Sequence, residues 1–374
     1  MAWFGVAAGA ALIVVIFIDA FEAMILPRRV RHGYRPVRYY YRSAWIVWRA
    51  AARLLPAGRH RNGFLSVFGP LSLFGLLALW AAGLITGFAL LHWSVGTKLQ
   101  ADGHFGTYLY FSGTTFFTLG YGDIVPTGTF GRAASVFEAG IGFGFLAVVI
   151  GYLPVLYQAF SRREITISLL DARAGSPPSA GELLRRLADA RSAAGPFLVE
   201  WERWAAELLE THLSFPVLSY FRSQHDNQSW VSTLTTILDT SAILIGGVGG
   251  PAAYQARLTF AMARHAAVDL ALVFQTPPRR PESDRLPGAS LARLRESLRE
   301  AGLELCTGPA VEKAVGELRS LYEPFVNALA AQFQFTLPPF QPEMPQVDNW
   351  QTSPWMPRSP GLDRLPAGAV DEHI

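Results

Sequence analysis

Tyr110-Phe111-Ser112-Gly113-Thr114-Thr115-Phe116-Phe117-Thr118-Leu119-Gly120-Tyr121-Gly122-Asp123-Ile124-Val125-Pro126-Thr127 lies between two long apolar stretches. Its centre, Thr118 to Asp123, carries the most specific chemistry in the chain. Gly120 and Gly122 let a short segment alternate into left-handed backbone angles, which glycine enters at little steric cost. A strip of that kind aims successive carbonyl oxygens to one side, and a ring of such strips replaces the water of a dehydrated cation. Thr118 adds a hydroxyl at the inner end. Tyr121 is expected to point away from the ions and brace the strip, and Asp123 places a carboxylate at the mouth, where cations gather. A chance Gly-Tyr-Gly-Asp turn is the ordinary alternative, and the flanks argue against it.

Those flanks have their own logic. Gly106 and Thr107 are expected to start a short helix over Tyr108 to Phe117, with Thr107 as its cap. Its carboxyl end would place partial negative charge where a cation waits. Tyr110, Phe111, Phe116 and Phe117 are expected to form a collar around Tyr121. The stretch from Tyr110 to Thr127 resembles the pore loop of two-transmembrane and two-pore-domain potassium channels, and the resemblance extends over Pro70 to Phe160. It implies ion binding by Thr118, Leu119, Gly120, Tyr121 and Gly122, with Asp123 at the pore mouth. Potassium is then the permeant ion, with no cofactor and no enzymatic activity. The sequence holds one such motif and a carbonyl ring needs four, so the resemblance also implies a homotetramer. Leu119 stands where relatives carry Val or Ile, and Thr114 where some carry a Glu coupled to the mouth Asp. A weakly selective cation channel is therefore the alternative within the class. A membrane-anchored signalling protein using the pore as scaffold is the alternative outside it.

Composition sets the frame: 374 residues, 51% hydrophobic and only 16% charged, are too apolar for an ordinary soluble chain. Spans of about 20 apolar residues cross a hydrocarbon layer roughly 30 Å thick. Three are expected, over Ala2 to Leu26, Pro70 to Trp93 and Ala133 to Phe160. The first is too long and too weakly basic at its start for a secretory signal. Between Pro27 and Gly63 stand Arg28, Arg29, Arg31, Arg35, Arg38, Arg42, Arg49, Arg53, Arg59 and Arg61 with no acid among them. The positive-inside rule puts this stretch in the cytoplasm. The pore loop then dips in from outside, and the third span returns to Arg162 and Arg163. The protein is thus expected in the plasma membrane, multi-pass, with its N-terminus outside and a cytoplasmic C-terminal domain. An anionic inner leaflet accounts for the basic balance without a nucleic-acid partner.

Tyr39 to Arg49 mixes aromatics with arginines at helical spacing and reads as an amphipathic helix on the inner leaflet. A voltage sensor is the sharper alternative, but the arginine spacing lapses after Arg42. Asp19 and Glu22 lie inside the first span, and an ion pair with Arg28 or Arg31 is favoured over a gating contact. His92 and His104 are expected near the outer face as interfacial histidines or proton sensors. In the third span Gly142 and Pro154 are candidate gating hinges, with close helix packing the competing role for Gly142. Glu138 is expected to pair with pore-helix hydroxyls or with Arg132.

Beyond Glu164 the pattern becomes amphipathic helices separated by Pro/Gly breaks. Helices are expected over Ala180 to Ser192, Pro196 to His212, Gln228 to Ile245, Ala252 to Gln275, Ser290 to Ala301 and Gly308 to Phe335. Val231 to Gly250 tempts as a fourth span, but its Ser, Thr and Asp content favours a buried soluble helix. A dinucleotide fingerprint at Gly247, Gly249 and Ala252 lacks the strand it needs. His225 with Asp226, and His265 with Asp269, are weak metal-ligand candidates, with capping by Asp226 or Asn227 the simpler role. Cys306 stands alone, which excludes an internal disulfide. The expected fold is therefore an all-α membrane protein: a potassium-channel pore module of two helices and a re-entrant loop, an extra N-terminal transmembrane helix and an all-helical cytoplasmic domain. Its segments are 1–27 (N-terminal span), 28–65 (basic cytoplasmic or interfacial segment), 66–163 (pore module), 164–336 (helical domain, with an unknown cytoplasmic ligand) and 337–374 (a tail rich in Pro with Trp350 and Trp355).

Overall fold

The computed structural model describes residues 2–24, 36–100, 103–188, 194–225, 227–248 and 250–341. The expectations for Arg28, Arg29, Arg31, Arg35, Asp226, Gly249, Trp350 and Trp355 lie outside the described residues. Within them the protein is all-helical, and its one extended pairing is an isolated bridge between Leu99 and Pro126.

Three helices are long and apolar enough to cross a membrane: α1 (Ala2–Met24), α3 (Arg59–Val95) and α5 (Thr129–Ala174). Between them stand α2 (Pro36–Ala52) and the short α4 (Phe105–Phe116). α1 packs along α3 with the backbones nearly touching. A Cβ on Gly9 would fall 2.7 Å from the Gly87 carbonyl, and one on Gly87 would fall 2.7 Å from Ile13 Cγ1. Such approach is how apolar helices gain contact inside lipid, where no hydrophobic drive separates them from the tails.

α3 starts eleven residues before the expected Pro70, so the boundary drawn at residue 66 falls inside a continuous helix. Pro70 lacks one helix hydrogen bond, and packing of α2 on both sides of it holds the helix together. Trp48 stacks on Phe64 at 4.4 Å, Trp45 meets Phe68 edge-on at 4.8 Å, and the Tyr40 hydroxyl donates to the Ser72 carbonyl at 2.8 Å. These contacts run in opposite order along the two helices. α2 therefore doubles back antiparallel to the start of α3 instead of lying across it. Asp19, buried in α1, supplies the missing cap of α2: its Oδ1 accepts from the Val37 amide at 3.1 Å and its Oδ2 from Trp80 Nε1 at 2.9 Å. A carboxylate at a helix N-terminus satisfies orphan amides and the helix dipole together.

α5 spans 46 residues, about 70 Å at the usual rise of ~1.5 Å, and continues unbroken through Pro154. More than half of that length exceeds a hydrocarbon layer of about 30 Å. The excess reaches a domain built of α6 (Ala180–Ala188), α7 (Ala194–Ser214), a 3₁₀ turn (Pro216–Tyr220), α8 (Trp230–Gly247), α9 (Gly250–Val273), α10 (Gly288–Glu300), α11 (Pro309–Ser320) and α12 (Glu323–Phe333). α8 is the buried axis of this domain, as its sequence implied. Several of its hydroxyls turn back on their own helix, with Thr235 donating to the Val231 carbonyl and Thr240 to that of Thr236, both at 2.7 Å, while those of Thr233 and Ser241 are buried without a partner among the described residues. The back-bonding removes the penalty for burying the hydroxyls that make it. Its N-cap is Ser229, whose Oγ accepts from the Ser232 amide at 3.0 Å, in place of the expected Asp226 or Asn227. The single helix expected over Gly308 to Phe335 is two helices, α11 and α12, because Pro324 in the first turn of α12 has no amide to continue the earlier ladder.

The first residues of the tail are part of the core. Phe340 is buried and its carbonyl accepts from the Gly181 amide at 2.7 Å. The Arg285 and Arg319 guanidiniums lie over its ring at 4.9 and 5.2 Å. Arg285 also donates to the Pro338 carbonyl at 2.9 Å and pairs with Asp239 of α8, which accepts in addition from the Tyr322 hydroxyl.

Candidate functional site

The strip from Thr118 to Asp123 emerges from the C-terminus of α4. The helix loosens through Phe117 and Thr118, whose amides donate to Gly113 and Thr115, and the Leu119 amide reaches back to the Thr114 carbonyl at 2.9 Å. The backbone then alternates: φ is 54° at Thr118, 59° at Gly120 and 75° at Gly122. Left-handed angles at every second residue turn successive peptide planes to one side. For Thr118, which carries a β-branched side chain, the angle is rarely adopted and must be held by its surroundings. Leu119 and Tyr121 are exposed.

Two anchors fix the strip. After the strip, the Thr127 amide donates to the Lys98 carbonyl at 2.9 Å and the Gln100 amide to that of Val125 at 3.3 Å, tying its exit to the segment after α3. At the end of the strip, Asp123 Oδ2 accepts from the Tyr110 hydroxyl at 2.8 Å and its Oδ1 from the Ile124 amide at 3.0 Å. Thr114, in the position noted for its departure, bonds instead to its own helix, donating to the Phe111 carbonyl at 2.9 Å. Tyr110 thus partners the Asp123 carboxylate. The aromatic collar closes differently from expectation: among the described residues no ring stacks on Tyr121. Phe116 packs inward against Phe117 and Phe145, and Phe111 against His92.

α4 is capped by His104, not by Thr107. The imidazole Nδ1 accepts from the Thr107 amide at 3.2 Å. Behind α4 lies a buried polar cluster joining three helices. Glu138 of α5, fully buried, accepts from the Ser112 hydroxyl of α4, and its other oxygen is 3.5 Å from His92 Nε2 of α3. His92 Nδ1 is 3.1 Å from the Thr97 hydroxyl, and the Thr97 carbonyl accepts from the Tyr108 hydroxyl at 2.9 Å. Glu138 meets a pore-helix hydroxyl, as its position implied. His92 is an interior residue rather than an interfacial one, a placement its apolar flanks Leu91 and Trp93 left undecided.

Gly142 lies where α5 crosses the end of α4. A Cβ there would fall 1.9 Å from the Phe116 carbonyl oxygen. Close packing is therefore a role the residue demonstrably has. Gly140, Gly144 and Gly151 on the same helix have open space around them.

Beyond its apolar stretch, Arg163 of α5 is buried in the helical domain formed by the residues after α5. Its guanidinium donates to the carbonyls of Leu218 at 2.9 Å and Phe221 at 2.8 Å, and pairs with Glu164 at 2.9 Å. It also reaches His212 Nε2 at 3.2 Å, while His212 Nδ1 is 2.8 Å from the Leu208 carbonyl. Because arginine only donates, Nε2 must accept, which assigns His212 as the neutral tautomer with its proton on Nδ1. Burial first, and the Arg163 charge second, hold that imidazole well below the usual histidine range. Phe221 in turn presses on α3, where a Cβ on Gly69 would meet its ring at 2.6 Å. One short segment, Val217 to Phe221, thus touches both α3 and the extension of α5.

The metal-ligand candidates do not converge. His265 and Asp269 stand 3.9 Å apart on α9, and no group of three potential ligands occurs among the described residues. Gly247 ends a helix rather than following a strand, and its carbonyl accepts from the Cys306 amide at 2.7 Å.

Comparison with known proteins agrees with this geometry. Residues 75–158 match a family model described as ion channel. An uncharacterized membrane protein, YdjJ, of Bacillus subtilis (strain 168) is 27% identical over 222 residues, covering 57% of this chain and 62% of its own length. The chain thus spans less than two thirds of that relative. No solved structure matches the chain. The protein is an all-α membrane protein whose residues 75–158 are similar to an ion-channel family.

Proposed function

We propose that four copies of this chain assemble one potassium-selective pore, through which potassium moves passively down its electrochemical gradient. The observation that carries the reading is the alternation of left-handed angles at Thr118, Gly120 and Gly122, directly at the carboxyl end of α4. Carbonyls of Thr118, Leu119, Gly120 and Tyr121 then form successive oxygen rings, with Gly122 and Asp123 at the outer mouth. Potassium is the only ion or cofactor the mechanism requires.

Gating belongs to α5. It is one helix from Gly142, against the end of α4, to Arg163, inside the cytoplasmic domain. A displacement of that domain pulls on the inner helix through Arg163 and on α3 through Phe221. Pro154, which lacks a helix amide, and Gly142 are the positions where α5 bends most readily. Basic residues along the inner face meet anionic lipid of the inner leaflet.

Purified protein in liposomes under opposed potassium and sodium gradients tests the proposal. A reversal potential near the potassium equilibrium value is expected. A reversal near zero would transfer the pore to the weakly selective class, a reading for which Leu119 is the specific ground. Absence of current beside a conducting control would reject conduction altogether.

A further inference from the structure

Away from the pore, α2 and the end of α12 face each other across a cleft of about 630 Å³, a size typical of small-molecule sites. Arg49 of α2 and Arg53 just after it line one wall, Arg279 and Arg280 of the segment after α9 another, and Gln332 and Gln334 the floor. No carboxylate lines the cleft. Arg279 pairs with Glu282 outside it, whereas Arg49, Arg53 and Arg280 meet no carboxylate among the described residues. Four guanidiniums gathered from distant parts of the sequence repel one another unless an anion joins them.

The frame around them is fixed by backbone contacts. Trp45 Nε1 donates to the Gln332 carbonyl at 2.8 Å, and Arg61 donates to Gln334 Oε1 at 2.8 Å. Arg222 donates to the carbonyls of Phe333 and Gln334, and the Arg279 amide to that of Pro324 at 2.9 Å. Arg49 continues the stripe that Trp45 begins one helical turn earlier, and Arg53 follows in the turn after α2, both in the cleft wall opposite the end of α12.

We propose that this cleft binds a small anion bearing several phosphate charges, held by planar guanidinium forks that match phosphate oxygens. Such a ligand would bridge α2, which is packed on the start of α3, to the cytoplasmic domain. The same chemistry is offered by a soluble phosphorylated metabolite and by a lipid headgroup, and position favours the former. The pairing of Trp48 with Phe64 sets Arg49 and Arg53 beside residues 59–63, roughly 10–16 Å inward of Pro70 at ~1.5 Å per residue. The headgroup layer is only about 5–7 Å deep on each side. The inference takes its orientation from the proposed topology, but binding is measured without current, so a failure of one is separable from a failure of the other.

Full-length protein in phosphatidylcholine nanodiscs, titrated calorimetrically with inorganic tripolyphosphate, supplies the test. One saturable site per chain is expected, weakened at least about tenfold in the Arg53→Gln/Arg280→Gln double variant. An Arg257→Gln control, altered on an exposed face of α9, should bind as the parent does, and matched melting temperatures establish that all three fold. Adding phosphatidylglycerol to the nanodisc separates the sources: displacement of tripolyphosphate assigns the cleft to a headgroup, and undiminished binding to a soluble anion. Lack of saturable binding up to the millimolar range, or equal loss in the Arg257→Gln protein, would overturn the site.

Discussion

Replacing Gly142 by alanine separates packing from hinging in the inner helix. The added Cβ would fall 1.9 Å from the Phe116 carbonyl oxygen, 2.7 Å from its carbon and 3.0 Å from its Cα. Carbon atoms essentially never approach closer than 3.0 Å, so α4 or α5 must retreat by at least ~1.1 Å. Every atom in the way is backbone, and no rotamer change relieves the clash. Overpacking of this kind costs about 1–3 kcal/mol, offset by about 1 kcal/mol from the better helix propensity of alanine. The larger consequence is geometric. Phe116 stands two residues before Thr118, and functional constellations tolerate displacements of only about 0.5 Å. Gly142→Ala is therefore expected to lower the melting temperature of the assembled protein and to move the reversal potential in liposomes toward zero. Gly140→Ala and Gly144→Ala, which meet nothing within 4 Å inside the subunit, should leave selectivity unchanged. A Gly142→Ala protein with parental melting and reversal potential, altered only in how often it opens, would refute the packing argument and leave the hinge.

Tyr110→Phe deletes the donor to Asp123 at a cost of about 1 kcal/mol, and faster loss of current under sustained potassium flux, with unchanged expression, is the expected readout. His212 is neutral in the fold, and its lowered value means that the unfolded chain takes up the proton first as pH falls. The domain should keep full stability above the ordinary histidine value near 6.5 and lose it progressively below, and thermal melts of His212→Gln across that window should show a shallower loss. Asp239→Ala leaves Arg285 buried without its main partner, a loss of about 3–5 kcal/mol. Burial raises the Asp239 carboxyl despite the arginine, so Asp239→Asn should be the milder change. Limited proteolysis should cut near Phe340 in the alanine variant and spare the parent.

Much of this architecture was legible because it rests on patterns that a short stretch of chain carries alone. The length of an apolar run decides whether it can cross a bilayer, and two glycines two apart decide where the backbone can alternate. The helix of Val231 to Gly250 was also readable as buried but not spanning, since Thr235, Thr236 and Thr240 find partners one turn back. The docking partners were not legible. Asp19 caps a helix that begins beyond a connection of eleven residues and takes its second bond from Trp80. His92 is interior because Glu138 and Phe111 come from two other helices, Tyr110 partners the Asp123 carboxylate, and Arg163 ends among carbonyls of Leu218 and Phe221. Periodicity tells which face of a helix is apolar, not which surface covers it. The chain's own pattern thus determined the apolar spans and the place where the backbone alternates, while only the tertiary structure decided what holds the strip from Thr118 to Asp123 and which segments dock on the long helices. The first is set by local backbone chemistry and transfer from water, and the second by which buried polar group meets which partner.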